Sequence, residues 1–473
     1  MNWINNPLDS LEPMKVSRRV LRDYFTTDKG HQGLYRWRGE FWYWDDLRWR
    51  LICDEEIREK LMFILEDAVW EQNGANGMVI RRYGPDKAKV EGVLHALEAL
   101  CRLDQDVVPC WLTPPNVEGP DVDAAHCIAF QDLIIDIKNG KTLDRDQQWF
   151  DVSTVPFKYD PDATCPRWLK AVDEWGDGDP LWASLLQRWF GYSLMGTRKY
   201  AKWLLMYGKI RGGKGTICNV LKQLTGKTAY LSTSLEDLAN EFGLDGLELS
   251  KVLSISEVSE IDSKAGEKVC RVLKNIVGRD PMTINAKYKR QVRNITINAA
   301  PLMQSNEIPV LPNKGRGLSG KMMVLPFEVS FEGREDFDLE DDLRRELPGI
   351  AAWAVQGAME LENADRESKW PVPDAAGEAM RLYHLQNNPF DSFLEARFHR
   401  NSGGFTANSI IRAQWNSWLK ANGVKMHVPK NILIQKIVQD SSWDLRQTRQ
   451  SMNEGHDRGV SGLTLKIEHD DEH

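Results

Sequence analysis

The stretch that decides the fold of this chain is Gly208-Lys209-Ile210-Arg211-Gly212-Gly213-Lys214-Gly215-Thr216, which follows the apolar run Trp203 to Tyr207. The pattern predicts a strand, a glycine-rich loop and a helix whose first turn carries Lys214. Glycines let backbone N–H groups close around an anion, the helix N-terminus adds positive potential, and the lysine reaches the β- and γ-phosphates of a polyphosphate. The sequence therefore predicts a phosphate-binding loop that uses Gly208, Gly212, Gly213, Lys214, Gly215 and Thr216.

The helix behind the loop is supported by its own apolar spacing. Ile217, Val220, Leu221 and Leu224 follow the i, i+3, i+4, i+7 pattern, and Gly226 ends the run. A chance glycine-rich turn would not need a strand before it and an amphipathic helix after it. The pattern therefore favours a nucleotide site over an ordinary turn.

One position of the loop departs from the usual pattern. Phosphate loops commonly place Ser or Thr directly after the lysine to bind Mg²⁺, and here Gly215 stands in that place. Thr216, one residue later, is the best hydroxyl candidate for the metal.

Composition and charge set limits on the class of protein. At 473 residues the chain exceeds one ordinary core, so we expect two or three domains. No apolar run approaches the roughly 18 residues that span a bilayer, and no export signal is visible, so we expect a cytoplasmic protein with no membrane contact.

The seven cysteines form no C-x-x-C motif, which argues against a zinc site and a disulfide framework. With a net charge of −8, any nucleic-acid contact must come from local basic patches.

The first 165 residues or so carry no recognisable catalytic motif. Residues 34–44, rich in aromatics, predict a hairpin that turns near Gly39. Its aromatics alternate with arginines and could stack bases, but the packed face of a small sheet is the favoured interpretation. A helix is predicted from Glu55 to Trp70.

Two further segments can complete an active site around the loop. Residues 251–257 predict a strand that ends in Glu257, the candidate for polarising an attacking water and for metal binding, although Ser256 replaces the aspartate often found before such a glutamate. Another strand, predicted from Ile295 to Leu302, leads to Asn306, whose amide can sense the γ-phosphate. A surface glutamate and a turn-capping asparagine are the plainer alternatives.

A second hairpin is predicted between these two segments. Residues 282–286 and 291–297 read as extended runs around the tip Lys287-Tyr288-Lys289-Arg290. Cationic side chains on a projecting turn can grip successive phosphates of a single strand, and a tyrosine can stack on a base. Charged turns are common, so a tip of this kind, taken alone, is more often an ordinary solvated loop.

The tail changes character from about Pro389. Between Arg397 and Lys466 the sequence carries eleven Lys or Arg against four acidic residues. Two amphipathic helices, ending near Gly423 and around Ile437, precede an extended ribbon that turns at residues 453–455. This order predicts a winged helix-turn-helix, with a plain α+β appendage as the alternative.

The ordered motifs resemble those of superfamily 3 helicases, specifically the helicase part of phage and plasmid primase-helicases. Each motif is weak alone, but five of them in order within roughly 120 residues are specific. They are Gly208 to Thr216, Ile255-Ser256-Glu257, Leu273-Lys274 with Gly278-Arg279-Asp280-Pro281, Ser305-Asn306-Glu307-Ile308-Pro309, and Lys321 to Phe327.

The resemblance implies an α/β fold with an AAA+-type P-loop core over residues 166–390. It also implies an α+β helicase-associated domain over 1–165 and a winged-helix domain over 391–473. Subunits would form a hexameric ring that uses ATP and Mg²⁺. Residue by residue it implies that Lys214 and Thr216 bind phosphate and metal, Glu257 activates water, Asn306 senses nucleotide, and Lys287, Tyr288, Lys289 and Arg290 touch DNA. The arginine finger of the family falls near Lys321, with Arg316 as a substitute.

The sequence is therefore interpreted as an ATP-dependent replicative DNA helicase of a phage, prophage or plasmid. It would translocate as a ring on single-stranded and forked DNA in a bacterial host, beside a separate primase or polymerase. The main alternative is a DNA-binding initiator or scaffold that binds ATP but unwinds nothing. A phosphotransferase acting on a small molecule is disfavoured by the cationic hairpin and the basic tail.

Overall fold

The computed structural model describes most of the chain. The described residues are 3, 6–74, 77–103, 108–112, 121–152, 154–196, 198–240, 243–256, 263–284, 292–309, 311, 317–424, 426, 428–452 and 455–466. Over these residues, no helix is both long and apolar enough to cross a membrane.

The N-terminal part combines helices with small antiparallel sheets. The predicted aromatic hairpin is confirmed, and Trp37, Phe41 and Trp42 are buried, so these rings pack in the interior and are not free to stack on bases. The elements are α1 (Pro13–Tyr24), β1 (Leu34–Trp37), β2 (Glu40–Trp44), β3 (Trp49–Ile52), α2 (Asp54–Glu66), β4 (Val69–Gly74), β5 (Gly77–Arg82), α3 (Lys87–Leu100), β6 (Cys110–Trp111), β7 (Cys127–Ala129), β8 (Leu133–Asp136), β9 (Lys141–Asp144) and β10 (Trp149–Phe150).

The end of the second helix was predicted wrongly. The helix stops at Glu66, and Trp70 lies in strand β4, where it pairs with Arg81 of β5 and bridges to Leu8. Cross-strand pairing is not visible in the local apolar spacing, and here it outweighs the helical pattern.

The central part is an α/β unit built on a parallel sheet, as predicted. The sheet has five strands in the order β12-β13-β16-β11-β17. Its elements are α4 (Pro166–Trp175), α5 (Pro180–Leu194), β11 (Trp203–Gly208), α6 (Lys214–Thr225), β12 (Tyr230–Ser234), α7 (Leu235–Ala239), β13 (Val252–Ser256), α8 (Ser263–Gly278), β14 (Met282–Ile284), β15 (Val292–Ile295), β16 (Ala300–Ser305), β17 (Met322–Phe327), α9 (Leu339–Arg345), α10 (Leu347–Asn363) and α11 (Ala376–Asn387).

The strand before Asn306 was placed too early in the sequence. Ile295 closes the β14–β15 hairpin, and the sheet strand begins only at Ala300. Both segments are apolar, so periodicity alone could not separate them.

Side chains of β11 alternate between the two faces of the sheet, because successive residues of a strand point to opposite sides. Leu204 and Met206 join a core with α4, α5, α6 and α10. Trp203 and Leu205 join a second core with α7, α8 and α11. The sheet is therefore covered on both faces, which explains why its strands are continuous apolar runs.

A buried charged network ties the N-terminal part to the amino end of β13. Lys251 Nζ lies 3.1 Å from Asp151 Oδ2, and both side chains are buried. Arg198, also buried, donates to the carbonyls of Ser193 and Lys251 at 2.9 and 2.8 Å. Burial lowers the pKa of Lys251, an effect that Asp151 opposes. The N-terminal part thus packs directly on the sheet that carries the loop.

The basic tail contains the two predicted helices and the ribbon. Its three strands form an antiparallel sheet in the order β18-β20-β19. Trp415 and Trp418 fill its core. The elements are α12 (Pro389–Arg397), β18 (Phe398–Ala407), α13 (Asn408–Ala421), α14 (Leu433–Asp440), β19 (Arg446–Met452) and β20 (Gly455–Leu465).

The contact between α5 and α10 yields a stability prediction. A Cβ on Gly191 would lie 2.3 Å from the backbone nitrogen of Ala358, so the two helix backbones touch. We expect Gly191→Ala to destabilise the protein by about 1–3 kcal/mol through overpacking and to lower the thermal unfolding midpoint measured by calorimetry.

Gly377→Ala is the matched control, because a Cβ on this helical glycine would meet no described atom within 4 Å. It should leave the midpoint unchanged or raise it, since alanine favours the helix by roughly 0.5–1 kcal/mol. Equal midpoints for the two variants would contradict the close approach of α5 and α10.

Candidate functional site

The loop between β11 and α6 has a conformation that requires glycine at two positions. Gly208 has φ +134°, and a Cβ there would lie 2.2 Å from the carbonyl oxygen of Phe327. Gly213 has φ +100°, and its Cβ would lie 2.3 Å from Nε1 of Trp175. Positive φ combined with close approach excludes larger residues, so the glycines of the motif are explained by backbone geometry.

The first turn of α6 presents unpaired backbone donors to the loop. The first intrahelical bond runs from the Ile217 N–H to the Gly213 carbonyl at 3.0 Å. The N–H groups of Lys214, Gly215 and Thr216 precede it and have no acceptor one turn back. Such a helix N-terminus is a ready anion site. Thr216 is half-buried and its hydroxyl lies in the same first turn.

Lys214 is held inside the loop. Its residue is only 8% exposed, and Nζ donates to the carbonyls of Gly208 at 2.9 Å and Lys209 at 2.6 Å. Burial lowers the pKa of Lys214 to about 8. The amine is thus fastened to loop carbonyls in this structure, and an arriving phosphate would replace those carbonyls and restore the charged form.

Asn306 meets the loop because the two preceding strands are neighbours. Tyr207 of β11 is in register with Ser305 of β16, so the residues that follow leave the same edge of the sheet. Asn306 and Thr216 line one open cleft that also contains Lys214. Gln304, which sequence reasoning missed, lines this cleft as well.

The opposite wall is residues 330–340, here called the acidic strap, with five carboxylates and one arginine. The Phe331 N–H donates to the carbonyl of Arg211 at 3.1 Å, and the Arg211 guanidinium pairs with Glu335. Arg167 Nη2 lies 2.9 Å from Asp336 Oδ2 and lowers the pKa of that carboxyl through a hydrogen bond. The approach of the strap to the loop depends on contacts between segments far apart in the sequence, so only the fold shows it.

Apolar surface lies at one side of the same cleft. Trp175, Ile210, Phe331 and Leu339 line it, and Ile210 is 50% exposed. An exposed apolar residue beside a phosphate loop offers a place for a planar base. The cleft therefore combines a cation and the N-terminus of α6 with an apolar wall.

Lys321 does not reach the loop of its own chain. It ends the turn before β17, whose first residue, Met322, pairs with Trp203, whereas Phe327 pairs with Gly208. At about 3.3 Å per residue, the five steps from Met322 to Phe327 separate the two ends of the strand by roughly 17 Å. Lys321 therefore lies at the amino edge of the sheet and the loop at the carboxyl edge.

Several predicted site residues lie outside the described residues. These are Glu257, Arg316, Lys287, Tyr288, Lys289 and Arg290. The strand β13 before Glu257 and the strands β14 and β15 that flank the hairpin tip are described.

The described donors that fit a divalent cation are few. Among described residues no group of three His, Cys, Asp or Glu side chains could hold a metal. The Thr216 hydroxyl, next to the phosphate loop, suits an Mg²⁺ that is also bound by nucleotide phosphates, because Mg²⁺ commonly binds through few protein ligands.

Two protein-family models match parts of the chain. Residues 18–175 match the model described as D5 N terminal like, and residues 206–317 match a family of unknown function, DUF5906. No curated protein gives a match.

Solved structures share the fold at low sequence identity. The apo structure of the NrS-1 C terminal region is 12% identical, with a TM-score of 0.54, and the match covers 96% of this chain and 100% of that one. Its A form apo structure is also 12% identical, with a TM-score of 0.51, over 91% and 96% of the two chains. The chain is therefore similar in fold to the NrS-1 C terminal region, and its residues 18–175 are similar to the D5 N terminal like family.

The state of Lys214 yields a prediction about nucleotide affinity. A bound phosphate needs the charged amine, so binding must take up a proton above the free pKa of about 8. We expect the Kd for MgATP to rise by roughly ten- to thirtyfold between pH 7.5 and 9.5, measured by calorimetric titration.

Lys214→Arg is the control for this titration. A guanidinium stays charged throughout the range, so its affinity, although lower overall, should be nearly flat with pH. An equally steep loss in the arginine variant would assign the pH dependence to another group.

Proposed function

We propose that this protein is an ATP-dependent DNA helicase with an AAA+-type P-loop core, which assembles as a ring and translocates on single-stranded DNA. The observation that carries the proposal is the cleft in which Lys214, at the N-terminus of α6, meets Asn306 from the adjacent strand. A nucleotide binder needs only the loop, whereas a second polar group at the same edge allows the γ-phosphate to be sensed.

The roles of the residues follow from their positions. Lys214 and the first-turn N–H groups would bind the β- and γ-phosphates, and the Thr216 hydroxyl would hold Mg²⁺, whose charge would help to neutralise the phosphates. Glu257 follows β13, one strand removed from the loop, and would orient the attacking water. Asn306 would hydrogen-bond the γ-phosphate and so report its presence.

The position of Lys321 supports a ring. Because it lies at the opposite edge of the sheet from its own loop, Lys321 would have to act as a finger on the nucleotide of a neighbouring subunit. A cationic finger supplied in trans is worth about 10³ to 10⁵ in rate. Lysine cannot make the paired hydrogen bonds to a phosphate that an arginine guanidinium makes. Arg316 is therefore the alternative candidate for the finger.

DNA contacts are assigned to the β14–β15 hairpin and to the tail. The tip residues Lys287, Tyr288, Lys289 and Arg290 would line the pore. In the tail, the order α12, β18, α13, α14, β19, β20 supports a winged helix, with the β19–β20 ribbon as the wing. Arg449 and Arg458 stand directly opposite each other on that ribbon, and both are exposed. Like charges across a ladder are unfavourable unless an anion lies over them.

The direct test is DNA-stimulated ATP hydrolysis. We expect single-stranded DNA to accelerate hydrolysis, and Lys214→Ala and Glu257→Gln to abolish it. Glu257→Gln should still bind nucleotide, because it removes only the group that orients water. Hydrolysis indifferent to DNA would contradict a motor.

The alternative is an ATP-binding initiator or scaffold. Two features favour this alternative: the non-standard metal positions Gly215 and Ser256, and a lysine, Lys321, where the family has an arginine finger. Strand-displacement assays separate the two, since a scaffold shifts a forked substrate on a gel without releasing a strand.

The wing yields a separate binding prediction. The double variant Arg449→Ala/Arg458→Ala should weaken duplex binding and reduce the slope of log K against log salt by about 2, since two phosphate contacts are lost. Arg81→Ala/Arg82→Ala, on the exposed strand β5, is the matched control and should leave the slope unchanged. Equal slopes in the two double variants would show that the ribbon does not contact the duplex.

A further inference from the structure

A second polar cleft lies at the opposite end of α6 from the phosphate loop, and we call it the basal cleft. One wall comes from β2, from β3 with the turn before it, and from residues 152–156, and the other comes from residues 225–229 at the end of α6. The helix runs from Lys214 to Thr225, so at about 1.5 Å per residue the two sites lie roughly 17 Å apart along its axis. The basal cleft is therefore separate from the cleft at Lys214, and it lies between the N-terminal part and the α/β unit.

Cations line the basal cleft on both walls. Arg48 and Arg50 belong to the N-terminal wall and Lys227 to the wall after α6, and none of the described residues that line the cleft is Asp or Glu. Arg50 Nη2 lies 2.9 Å from Glu56 Oε1, just outside the lining. Arg48 Nε approaches Asp45 Oδ2 only to 3.9 Å, and Lys227 forms no ion pair with a described residue. Two of the three cations are thus weakly paired or unpaired.

A buried donor in the same lining also has no acceptor. Trp42 is 1% exposed, and its Nε1 has no partner among the described residues. An indole N–H, an ammonium and a guanidinium can all donate hydrogen bonds but cannot accept them. Buried polar groups are almost always paired, so this lining calls for a ligand that accepts hydrogen bonds and carries negative charge.

Another guanidinium lies next to the N-terminal wall. Arg145 Nη2 donates to Oγ1 of Thr154, a lining residue, at 2.8 Å, and Nε donates to the carbonyl of Leu47 at 3.2 Å. Its Nη1 is buried and has no partner among the described residues. Burial lowers the pKa of Arg145 to about 10, an effect that two carboxylates oppose and the charge of Arg48 increases. The two guanidinium groups therefore repel each other, and a bound anion would relieve that repulsion.

A phosphate group matches this lining more closely than a carboxylate does. A phosphate monoester carries roughly −1.5 to −2 charge at pH 7 and three acceptor oxygens, whereas a carboxylate carries a single charge on two oxygens. Arginine guanidinium groups pair with phosphate oxygens through two parallel hydrogen bonds. Three cations and an indole N–H in one lining offer more donors than a single carboxylate can accept.

We propose that the basal cleft is a second anion site, in which Arg48, Arg50, Lys227 and the indole N–H of Trp42 bind a phosphate-bearing ligand. The phosphate belongs either to a small polyphosphate or to the backbone of a nucleic-acid strand, which present the same oxygens. Because the arginines belong to the N-terminal part and Lys227 follows α6, the bound phosphate joins the two parts of the chain. The inference is independent of the proposed helicase activity, since none of these residues belongs to the phosphate loop.

The test is calorimetric titration of the full chain with inorganic pyrophosphate. The wild type should bind two pyrophosphate ions, one in each cleft, and Lys214→Ala should retain the one in the basal cleft. In that Lys214→Ala background, Arg48→Gln/Lys227→Gln should raise the remaining Kd at least about tenfold, since two charge-assisted contacts are lost.

The matched control in the same background is Arg18→Gln/Lys141→Gln, which changes two exposed cations of the N-terminal part outside the cleft and should leave Kd unchanged. Circular dichroism checks that all variants fold. No uptake of pyrophosphate by Lys214→Ala at millimolar concentration, or equal Kd values for the cleft variant and the control, would overturn the proposal. Uptake of one ion by the wild type that Lys214→Ala leaves unchanged would instead contradict only the assignment of the phosphate loop.

Competition in the Lys214→Ala protein identifies the source of the phosphate. Displacement of pyrophosphate by a single-stranded oligonucleotide would support a nucleic-acid backbone, and pyrophosphate that stays bound would support a small polyphosphate. Acetate is the probe for the shared chemistry. Affinity for acetate equal to that for pyrophosphate would contradict a phosphate site.

Discussion

The parallel pairing of β11 between β16 and β17 is the constraint on which the rest of the structure depends. Because all three strands run the same way, the loop after Gly208 and the amide of Asn306 leave one edge of the sheet together, while Lys321 is carried to the other. This pairing brings Lys214 and Asn306 to one cleft and separates Lys321 from the loop of its own chain. A sheet with one of these strands reversed would do neither.

Burial of Lys214 gives the loop its electrostatic character. The amine is desolvated by burial and donates to the carbonyls of Gly208 and Lys209. The acidic strap faces this cation across the cleft, with its own charges partly neutralised by Arg167 and Arg211. These ion pairs fasten the strap to α4 and to the loop itself.

The sequence predicted local features well and long-range ones poorly. The loop, the helix α6 and the tail helices were predicted correctly because glycine spacing and a 3.6-residue period depend only on residues close together in the sequence. The end of α2, the start of β16 and the approach of the strap to Arg211 depend on pairing across the chain, which no local period encodes. Gln304, Arg167 and Trp175 join the cleft for the same reason, since only the fold brings them to the loop.

The central claim is that a nucleotide bound at Lys214 sits at a subunit boundary. Electron microscopy of the protein with a non-hydrolysable ATP analogue and a forked DNA tests it most directly. The account predicts a closed ring with the analogue against Lys214 of one subunit and the Lys321 side of the next subunit facing it. Analogue bound to isolated protomers, or rings whose Lys214 loops face solvent away from every neighbour, would contradict it.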